Sequence, residues 1–424
     1  MDTIFALSSG PPPAAIAVVR ISGASARAAL NVVAGGIPEP RRASVRLLRD
    51  ADGALLDRAL VMWFPGPATA TGEDLAELHL HGGRAVVAGI EAALAALPGL
   101  RRAEPGEFTR RAFANGRIDL AEAEGLADLL AAETELQRRA ALDMAGGALS
   151  RQVDGWRGRL LLQSAALEAV LDFADEDDVG ALPAQFMADV AALRGEIVAA
   201  LAAPHAELLR EGFRVVLAGP PNAGKSTLFN ALVESEAAIT ASTAGTTRDV
   251  LVRPVALTGV PFSFVDTAGL RDEGAGEIEA IGIARAQAEL ERADLVLWLG
   301  AEGSGPAQAW EIEAQIDRPD HRGKARPDAR VSGVTGEGLG ELKRKLVAFA
   351  MQAMPKPGAA ALNGRQRALL SDATEALADV ASQPDPLLLA EHLRIARVAF
   401  DRLTGRAATE DVLDTLFGRF CIGK

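Results

Sequence analysis

Residues 213–232 read FRVVLAGPPNAGKSTLFNAL, and this stretch predicts one local structure. The apolar run at 213–218 has the composition of a buried strand. The pattern G-x-x-x-x-G-K-S follows at 219–226, and a run with helical periodicity comes next. In such a strand–loop–helix setting the glycines let backbone N–H groups point inward, and the helix N-terminus adds a positive dipole. The stretch therefore predicts a phosphate-binding loop in a doubly wound α/β domain.

Two side chains of this loop suit a triphosphate with Mg²⁺, since Lys225 can reach the β- and γ-phosphates and Ser226 can bind the metal. A second apolar run, 262–265, ends in Asp266, where an acidic residue would hold the metal. The polar loop 243–249 between them suits a switch segment that closes over the γ-phosphate. The predicted phosphate-side contacts are Asn222, Ala223, Gly224, Lys225, Ser226, Thr227, Thr243, Ala244, Gly245, Thr246, Thr247, Asp266, Thr267, Ala268 and Gly269.

The base-binding end carries a weaker pattern. GTPases usually have N-K-x-D, whose Asp accepts both guanine N–H donors, and this chain has none. The nearest candidate is D-R-P-D at 317–320, which predicts Asp320 as the base-binding acid, with a plain acidic loop as the equal alternative. Ser332 and Gly333 begin S-G-V-T-G-E-G, similar to the loop that meets the guanine oxygen, and this favours guanine.

The water-orienting group is also open. Leu270 follows the D-T-A-G segment where some GTPases have Gln, and a Leu side chain cannot orient water. Glu277 and Glu279 are the nearest acids, although both also fit the first turn of a helix.

Composition limits the remaining possibilities. The chain has 424 residues, a net charge of −13 and one cysteine. This length predicts two or three domains. One cysteine allows no intramolecular disulfide, which predicts a reducing compartment. The N-terminus lacks the pattern of a signal peptide, and no apolar run is long enough to span a membrane. An acidic chain must meet nucleic acid through local patches or a partner.

Three further motifs carry a family resemblance: TGEDLAELHLHGG at 71–83, PGEFTRRAFANGRIDL at 105–120 and CIGK at 421–424. With the phosphate loop, they make the whole chain resemble the MnmE (TrmE) family of tRNA-modification GTPases. The resemblance implies an α/β plus all-α multidomain fold. Its expected parts are an N-terminal α/β tetrahydrofolate-binding and dimerisation domain (1–116), a helical domain (117–210 and 356–424) and an inserted Ras-like P-loop G domain (211–355).

The resemblance also implies the activity. The family hydrolyses GTP and, with a FAD-dependent MnmG-type partner, adds a (carboxymethyl)aminomethyl group to C5 of the wobble uridine of certain tRNAs. It implies a K⁺-stimulated GTPase activated by G-domain dimerisation, and formyl- or methylene-tetrahydrofolate as a one-carbon source. A homodimer, a heterotetramer with the partner, tRNA as substrate and a cytoplasmic location without membrane contact are expected.

Site residues follow by matching position. Arg20, Glu77, Arg117 and Lys424 resemble the folate contacts, with Arg117 standing where the family usually has Lys. The catalytic candidates are Cys421 and Glu279, with Glu277 left open as the alternative acid. The metal contacts implied are Ser226 and Thr247 for Mg²⁺, and Asn222, Ala241, Thr243 and Thr246 for K⁺.

Two other functions remain open from the sequence. One is an RNA-binding regulatory GTPase of the ribosome-assembly type. Such proteins share these G-domain motifs, but they lack the folate-like N-terminal region and the C-I-G-K motif. The other is a nucleotide-impaired scaffold, suggested by the degraded N-K-x-D motif.

Overall fold

The structure is a computed structural model of the chain. It describes residues 2–172, 182–234, 252–267, 277–321, 323–355, 360–380 and 383–424, with the side chains of 277–283 excluded. The chain divides into two compact units. The first comprises Met1–Ala127, Leu149–Leu161 and Arg394–Lys424, and the second comprises Asp128–Ala148 and Leu162–Leu393.

Strands and helices are numbered in chain order. The strands are β1 (Thr3–Leu7), β2 (Ala14–Ser22), β3 (Ser44–Arg49), β4 (Leu55–Phe64), β5 (Leu75–Gly82), β6 (Leu100–Arg102), β7 (Phe213–Ala218), β8 (Val252–Leu257), β9 (Val260–Asp266), β10 (Leu295–Trp298), β11 (Trp310–Ala314) and β12 (Ala329–Val331). The helices are α1 (Ala26–Ala34), α2 (Arg84–Ala95), α3 (Glu107–Ala114), α4 (Leu120–Ala131), α5 (Glu135–Ala145), α6 (Ala148–Asp172), α7 (Phe186–Leu201), α8 (Glu207–Glu211), α9 (Lys225–Glu234), α10 (Glu277–Glu291), α11 (Leu339–Ala353), α12 (Gly364–Val380), α13 (Pro386–Thr404) and α14 (Glu410–Phe417).

The first unit contains a six-stranded sheet in the order β3-β4-β5-β2-β1-β6. Its pairs are antiparallel except β1 with β6. Alternate residues of β2, such as Val19 and Ile21, are buried with the apolar faces of α1 and α2. Because side chains alternate across a strand, Ile16 and Arg20 lie on the opposite, open face of the sheet. Helices α1 and α2 thus cover one face of the sheet. On the other face Phe108 of α3 packs with Ile4 and Ala6 of β1, and the rest of that face, here called the open face, is not covered by α1 or α2.

A small helical cluster also belongs to this unit. Leu120 and Ala123 of α4 pack with Leu416 and Phe417 of α14. The residues after α14 then form a β-bridge, Ile422 with Pro105. The C-terminal residues are therefore held against the start of α3.

A buried ion-pair network ties α3 to the sheet. Arg111, whose side chain is 9% exposed, contacts Glu107 at 2.9 Å, Asp2 at 3.0 Å and Glu73 at 3.2 Å. Arg101 also pairs with Asp2 and Glu107. The Arg101 hydrogen bond lowers the pKa of Asp2, and Arg101 and Arg111 together outweigh burial to lower the pKa of Glu107. The motif at 105–120 therefore supplies the charges that hold this part of the fold.

The second unit contains the doubly wound sheet, in the order β12-β11-β10-β7-β9-β8. The pairs from β12 to β9 are parallel, and β8 joins the edge antiparallel. Its core contains Val215 and Leu217 of β7, together with Leu228 of α9 and Leu342 of α11. This strand order, with one antiparallel edge strand, is that of a Ras-like G domain, so the expected α/β plus helical fold class is confirmed.

Helices complete the second unit. Helix α7 packs against α12. This contact brings together a segment that precedes the doubly wound sheet in the chain and a segment that follows it. Gln137 of α5 donates to the main chain of Leu209 at 2.7 Å. Among the helices that the structure describes, none combines the length and the hydropathy that crossing a membrane requires.

We predict that Arg111→Met destabilises the first unit by about 3 kcal/mol, because it leaves the largely buried Glu73 and Glu107 without their shared cation. Hydrogen exchange of the β1 and α3 amides measures this loss. The lowered pKa values of Asp2 and Glu107 mean that these carboxylates stabilise the fold above their ordinary pKa. That contribution disappears as pH falls through the lowered values.

Arg102→Met is the matched control. Arg102 is 68% exposed and pairs with Glu91 at 3.0 Å, and exposed ion pairs contribute about 1 kcal/mol or less. Equal exchange rates in the two variants would show that the buried network does not stabilise the unit.

Candidate functional site

The phosphate loop joins β7 to α9. Three of its residues have positive φ angles: Gly219 (150°), Asn222 (60°) and Gly224 (89°). Glycine adopts such angles without strain, and Asn tolerates the left-handed region better than most residues. The Lys225 ammonium group donates to the carbonyl oxygens of Gly219 at 3.1 Å and Pro220 at 2.9 Å. The loop therefore has the backbone turns and the cation that a phosphate chain needs.

The first turn of α9 and the end of β9 meet this loop. Ser226 and Thr227 are exposed on the first turn of α9. Asp266 is 2% exposed and lies beside Leu217 in the parallel register of β7 and β9. The Thr267 hydroxyl donates to the Leu217 carbonyl oxygen at 2.8 Å and fixes the end of the strand. A hydroxyl, a buried carboxylate and an ammonium group thus lie at one edge of the sheet.

The loop after β12 reaches the same edge. Ser332 is fully buried, and its hydroxyl accepts hydrogen bonds from Val334 N at 3.2 Å and Thr335 N at 3.0 Å. A Cβ atom at Gly333 would lie only 2.9 Å from the Thr227 carbonyl oxygen. Any larger residue at position 333 would therefore push this loop away from α9.

Asp317, the first acid of the D-R-P-D segment, lies beside this loop. A hydrogen bond with Ser332 lowers the pKa of Asp317, which favours its ionised form. Gln315, two residues earlier, donates to the Asn222 carbonyl oxygen at 3.2 Å. Asp317 and Asp320 are both exposed residues of the turns that follow β11. Asp320 stays a prediction, and the hydrogen bond with Ser332 adds Asp317 as a second candidate for the base-binding acid.

The end of β11 places Asp317 close to the edge of the sheet. Strand β11 ends at Ala314, and Asp317 follows three residues later. In the sequence the segment 310–314 reads WEIEA, an alternation of apolar and charged residues. Such alternation is typical of a half-buried strand, so the sequence itself carries a signal that a strand ends shortly before Asp317.

Other predicted nucleotide residues lie outside the described part of the chain. These are Ala241, Thr243, Ala244, Gly245, Thr246, Thr247, Ala268 and Gly269. Glu277 and Glu279 lie in the first turn of α10, which begins at Glu277. Their side chains are outside the described set, so the choice between them stays a prediction.

The folate-like residues lie on the open face of the first sheet. Arg20 of β2 and Glu77 of β5 are direct neighbours in the antiparallel register. Arg20 Nη2 and Nε donate to Glu77 Oε1 at 2.9 and 3.1 Å, and His79 Nε2 lies 3.2 Å from Glu77 Oε2. His79 is a further residue of this site that was not predicted, and the signal for it is the two-residue spacing from Glu77, which puts both on the same face of β5.

Phe108 connects this pair to the C-terminal residues. The Arg20 guanidinium lies 5.8 Å from the centre of the Phe108 ring. The Phe108 amide donates to the Lys424 carbonyl oxygen at 3.2 Å, and the Gly106 amide donates to that of Cys421 at 3.5 Å. The Cys421 residue is exposed. The structure thus brings Arg20 and Glu77 near the segment that ends in Lys424.

The last predicted folate residue, Arg117, follows α3 and is exposed. Its side chain lies beside Gly72, where a Cβ atom would come within 3.3 Å of Arg117 Cγ. Arg117 therefore lies against the loop that leads into β5, and the contacts described above do not join it to the Arg20–Glu77 pair.

Two protein-family descriptions match this chain. Residues 3–117 match the family described as the GTP-binding protein TrmE N-terminus, and residues 120–421 match the MnmE helical domain. Among solved structures, the G domain of the T. maritima FeoB iron transporter aligns with 32% of this chain and 98% of its own, at 29% identity and a TM-score of 0.24. The assignment of the Ras-like fold rests on the strand order described above.

Curated relatives match along the whole length. The tRNA modification GTPase MnmE of Novosphingobium aromaticivorans is 65% identical, and that of Erythrobacter litoralis is 62% identical. Both alignments cover 100% of this chain and 100% of the relative. The chain therefore belongs to the MnmE family of tRNA modification GTPases.

Proposed function

We propose that this chain hydrolyses GTP while it acts, with a FAD-dependent MnmG-type partner, in adding a (carboxymethyl)aminomethyl group to C5 of the wobble uridine of certain tRNAs. The full-length match to the two MnmE relatives carries this proposal. The loop geometry around Lys225 supports the hydrolytic half of it. FAD would be held by the partner, and the complex would be a heterotetramer.

The contact between Asp317 and Ser332 supports guanine as the base. An ionised carboxylate accepts hydrogen bonds from two neighbouring N–H donors, which guanine presents and adenine does not. Gln315 stands in the motif where other GTPases have Lys, and its amide still holds the loop at Asn222. This arrangement favours an active GTPase over the nucleotide-impaired scaffold.

The residues present also fit the metals expected with GTP. The exposed Ser226 hydroxyl and the buried Asp266 carboxylate meet at the phosphate loop and would hold Mg²⁺ directly or through water. Mg²⁺ would neutralise charge on the phosphates. Asn222 offers a side-chain oxygen beside the same loop as a K⁺ ligand. The proposed partners of Asn222 at 241, 243 and 246, and the Mg²⁺ ligand Thr247, lie outside the described residues.

The open face of the first sheet supports folate binding. A pterin ring presents paired N–H donors, and Glu77 is a carboxylate on a protein surface that could accept them. Arg20 holds Glu77 from one side and would contact the ligand with its remaining donors. A formyl- or methylene-tetrahydrofolate would supply one carbon, with Arg117, Lys424 and the exposed Cys421 as further proposed contacts.

The same face supports a homodimer. Val45, Leu60, His79 and Val18 form one row across four strands. Val45 is 58% exposed, Leu60 is 36% exposed, and Ile16 nearby is 60% exposed. Exposed apolar patches of this kind mark protein interfaces. We therefore propose residues 1–116 as the dimerisation domain. The other proposed domains are the helical domain (117–210 and 356–424) and the G domain (211–355).

We predict that Asp317→Asn exchanges the base preference. The KM for GTP should rise roughly 100-fold, because an amide cannot accept both guanine donors, while XTP should become the better substrate. Steady-state hydrolysis with both nucleotides measures this exchange. Asp320→Asn is the matched control and should keep the wild-type preference; the opposite assignment of the two variants would identify Asp320 as the base-binding acid.

Potassium dependence tests the role of Asn222. GTP hydrolysis should be faster in KCl than in NaCl at equal ionic strength, because a bound K⁺ adds positive charge beside the phosphates. Asn222→Ala should remove this difference. Asn230→Ala, at an exposed position of α9, should leave it intact. Equal rates of the wild-type protein in both salts would contradict the K⁺ site.

The tRNA product tests the pathway. In a strain that lacks this chain, mass spectrometry of tRNA nucleosides should show the wobble uridine without its C5 group. Expression of the wild-type chain should restore the modification, and Lys225→Ala should not, since it removes the phosphate-binding cation. A normal nucleoside profile in the deletion strain would argue for the regulatory ribosome-assembly type of GTPase instead.

A further inference from the structure

The turn that carries Asp317 follows β11, in a part of the second sheet where the described connections between parallel strands contain no helix. Strands β10, β11 and β12 are parallel neighbours, joined by residues 299–309 and 315–328. The described residues of both connections form turns and bends without a helix. Parallel strands are usually connected through a helix, which covers the sheet and supports the loops at its edge. The turn that carries Asp317 must therefore gain its support in another way.

A buried carboxylate supplies that support. Glu313 of β11 has a side chain that is 4% exposed and faces away from α11, because Trp310 on the other face contacts Phe349 of α11. Glu313 Oε1 lies 3.1 Å from His321 Nε2 and 3.1 Å from Arg330 Nη2. The connection after Asp317 is thus tied back to the sheet through Glu313.

His321 joins Glu313 to the turn itself. Its Nδ1 lies 2.9 Å from the Arg318 carbonyl oxygen, and its amide donates to the same oxygen at 3.3 Å. The Arg318 amide in turn donates to the Gln315 carbonyl oxygen at 2.9 Å. Asp317 therefore lies inside a turn that is closed at both ends. Both ring nitrogens of His321 face oxygen acceptors, and only a protonated imidazole can donate from both.

We propose that His321 is a positioning residue for guanine recognition: its protonated ring clamps the Asp317 turn to Glu313. The proposal rests on the function proposed above, in which Asp317 binds guanine. His321 does not touch the nucleotide in this scheme; it limits the movement of the carboxylate that does. In this chain the contacts of His321 with Glu313 and Arg318 hold the Asp317 turn in place, as a connecting helix would in other parallel sheets.

The charges around His321 determine how the clamp depends on pH. Glu313 and Asp317 stay ionised, because hydrogen bonds and the Arg330 charge outweigh burial at Glu313 and Ser332 lowers the pKa of Asp317. Arg330 and Lys324 are the cations of this cluster, and Lys324 is paired with Glu311 at 2.5 Å. The two contacts of the His321 ring depend on its proton, because a neutral imidazole has one N–H donor and one acceptor nitrogen. Deprotonation removes one of its two donors.

Competition binding tests the clamp. The full chain is titrated with GDP and with IDP, which lacks the exocyclic amino group, between pH 6 and pH 8. The wild-type preference for GDP over IDP should fall as pH rises. His321→Gln should lower this preference roughly tenfold at pH 6, because it removes about one hydrogen bond to a charged group. The preference of this variant should not change with pH.

Two further variants sharpen the result. Glu313→Gln should reproduce the His321→Gln profile, since it removes the acceptor charge. His205→Gln, at an exposed histidine of the same unit, should behave as the wild type. An equal loss of GDP and IDP affinity in the His321 variant would indicate a general structural effect and overturn the proposal.

The outcomes separate this inference from the function on which it rests. A wild-type chain that binds GDP no better than ADP would overturn the guanine site itself. A wild-type chain that prefers GDP, with His321 and Glu313 variants of unchanged preference and pH profile, would overturn only the clamp.

Discussion

The parallel register of β7, β9, β11 and β12 is the constraint on which the second unit depends. Parallel strands bring their carboxyl ends to one edge of a sheet, so the loops that follow them converge there. The phosphate loop after β7, Asp266 at the end of β9 and Ser332 after β12 meet in this way. None of these residues is near another in the sequence, and the sheet alone joins them.

The first unit obtains its site from the opposite arrangement. Its antiparallel strands place Arg20 and Glu77 side by side on one face, while α1 and α2 cover the other face. The Arg111 network holds α3, whose Phe108 lies beside Arg20 on this face, and α3 in turn holds the C-terminal residues. Charge pairing inside the unit thus positions the segment that contains Cys421 and Lys424.

Buried ion pairs hold secondary-structure elements and turns in place in both units of this chain. Arg111 contacts three carboxylates beside the first sheet, and Glu313 contacts His321 and Arg330 on the second. Two arginines of the motif at 105–120, Arg110 and Arg111, are paired with acids. Arg110 contacts Glu410 at 2.5 Å and Asp414 at 2.8 Å.

The sequence by itself determined the phosphate loop and the family, because both depend on contiguous residues whose local conformation and chemistry are readable in order. It also predicted a base-binding acid within residues 317–320. Only the tertiary structure shows that Asp317 contacts Ser332, because that contact depends on where β11 ends and on the loop after β12. Pairings such as Arg20 with Glu77 and His321 with Glu313 follow from strand register and turn closure, which no local pattern specifies.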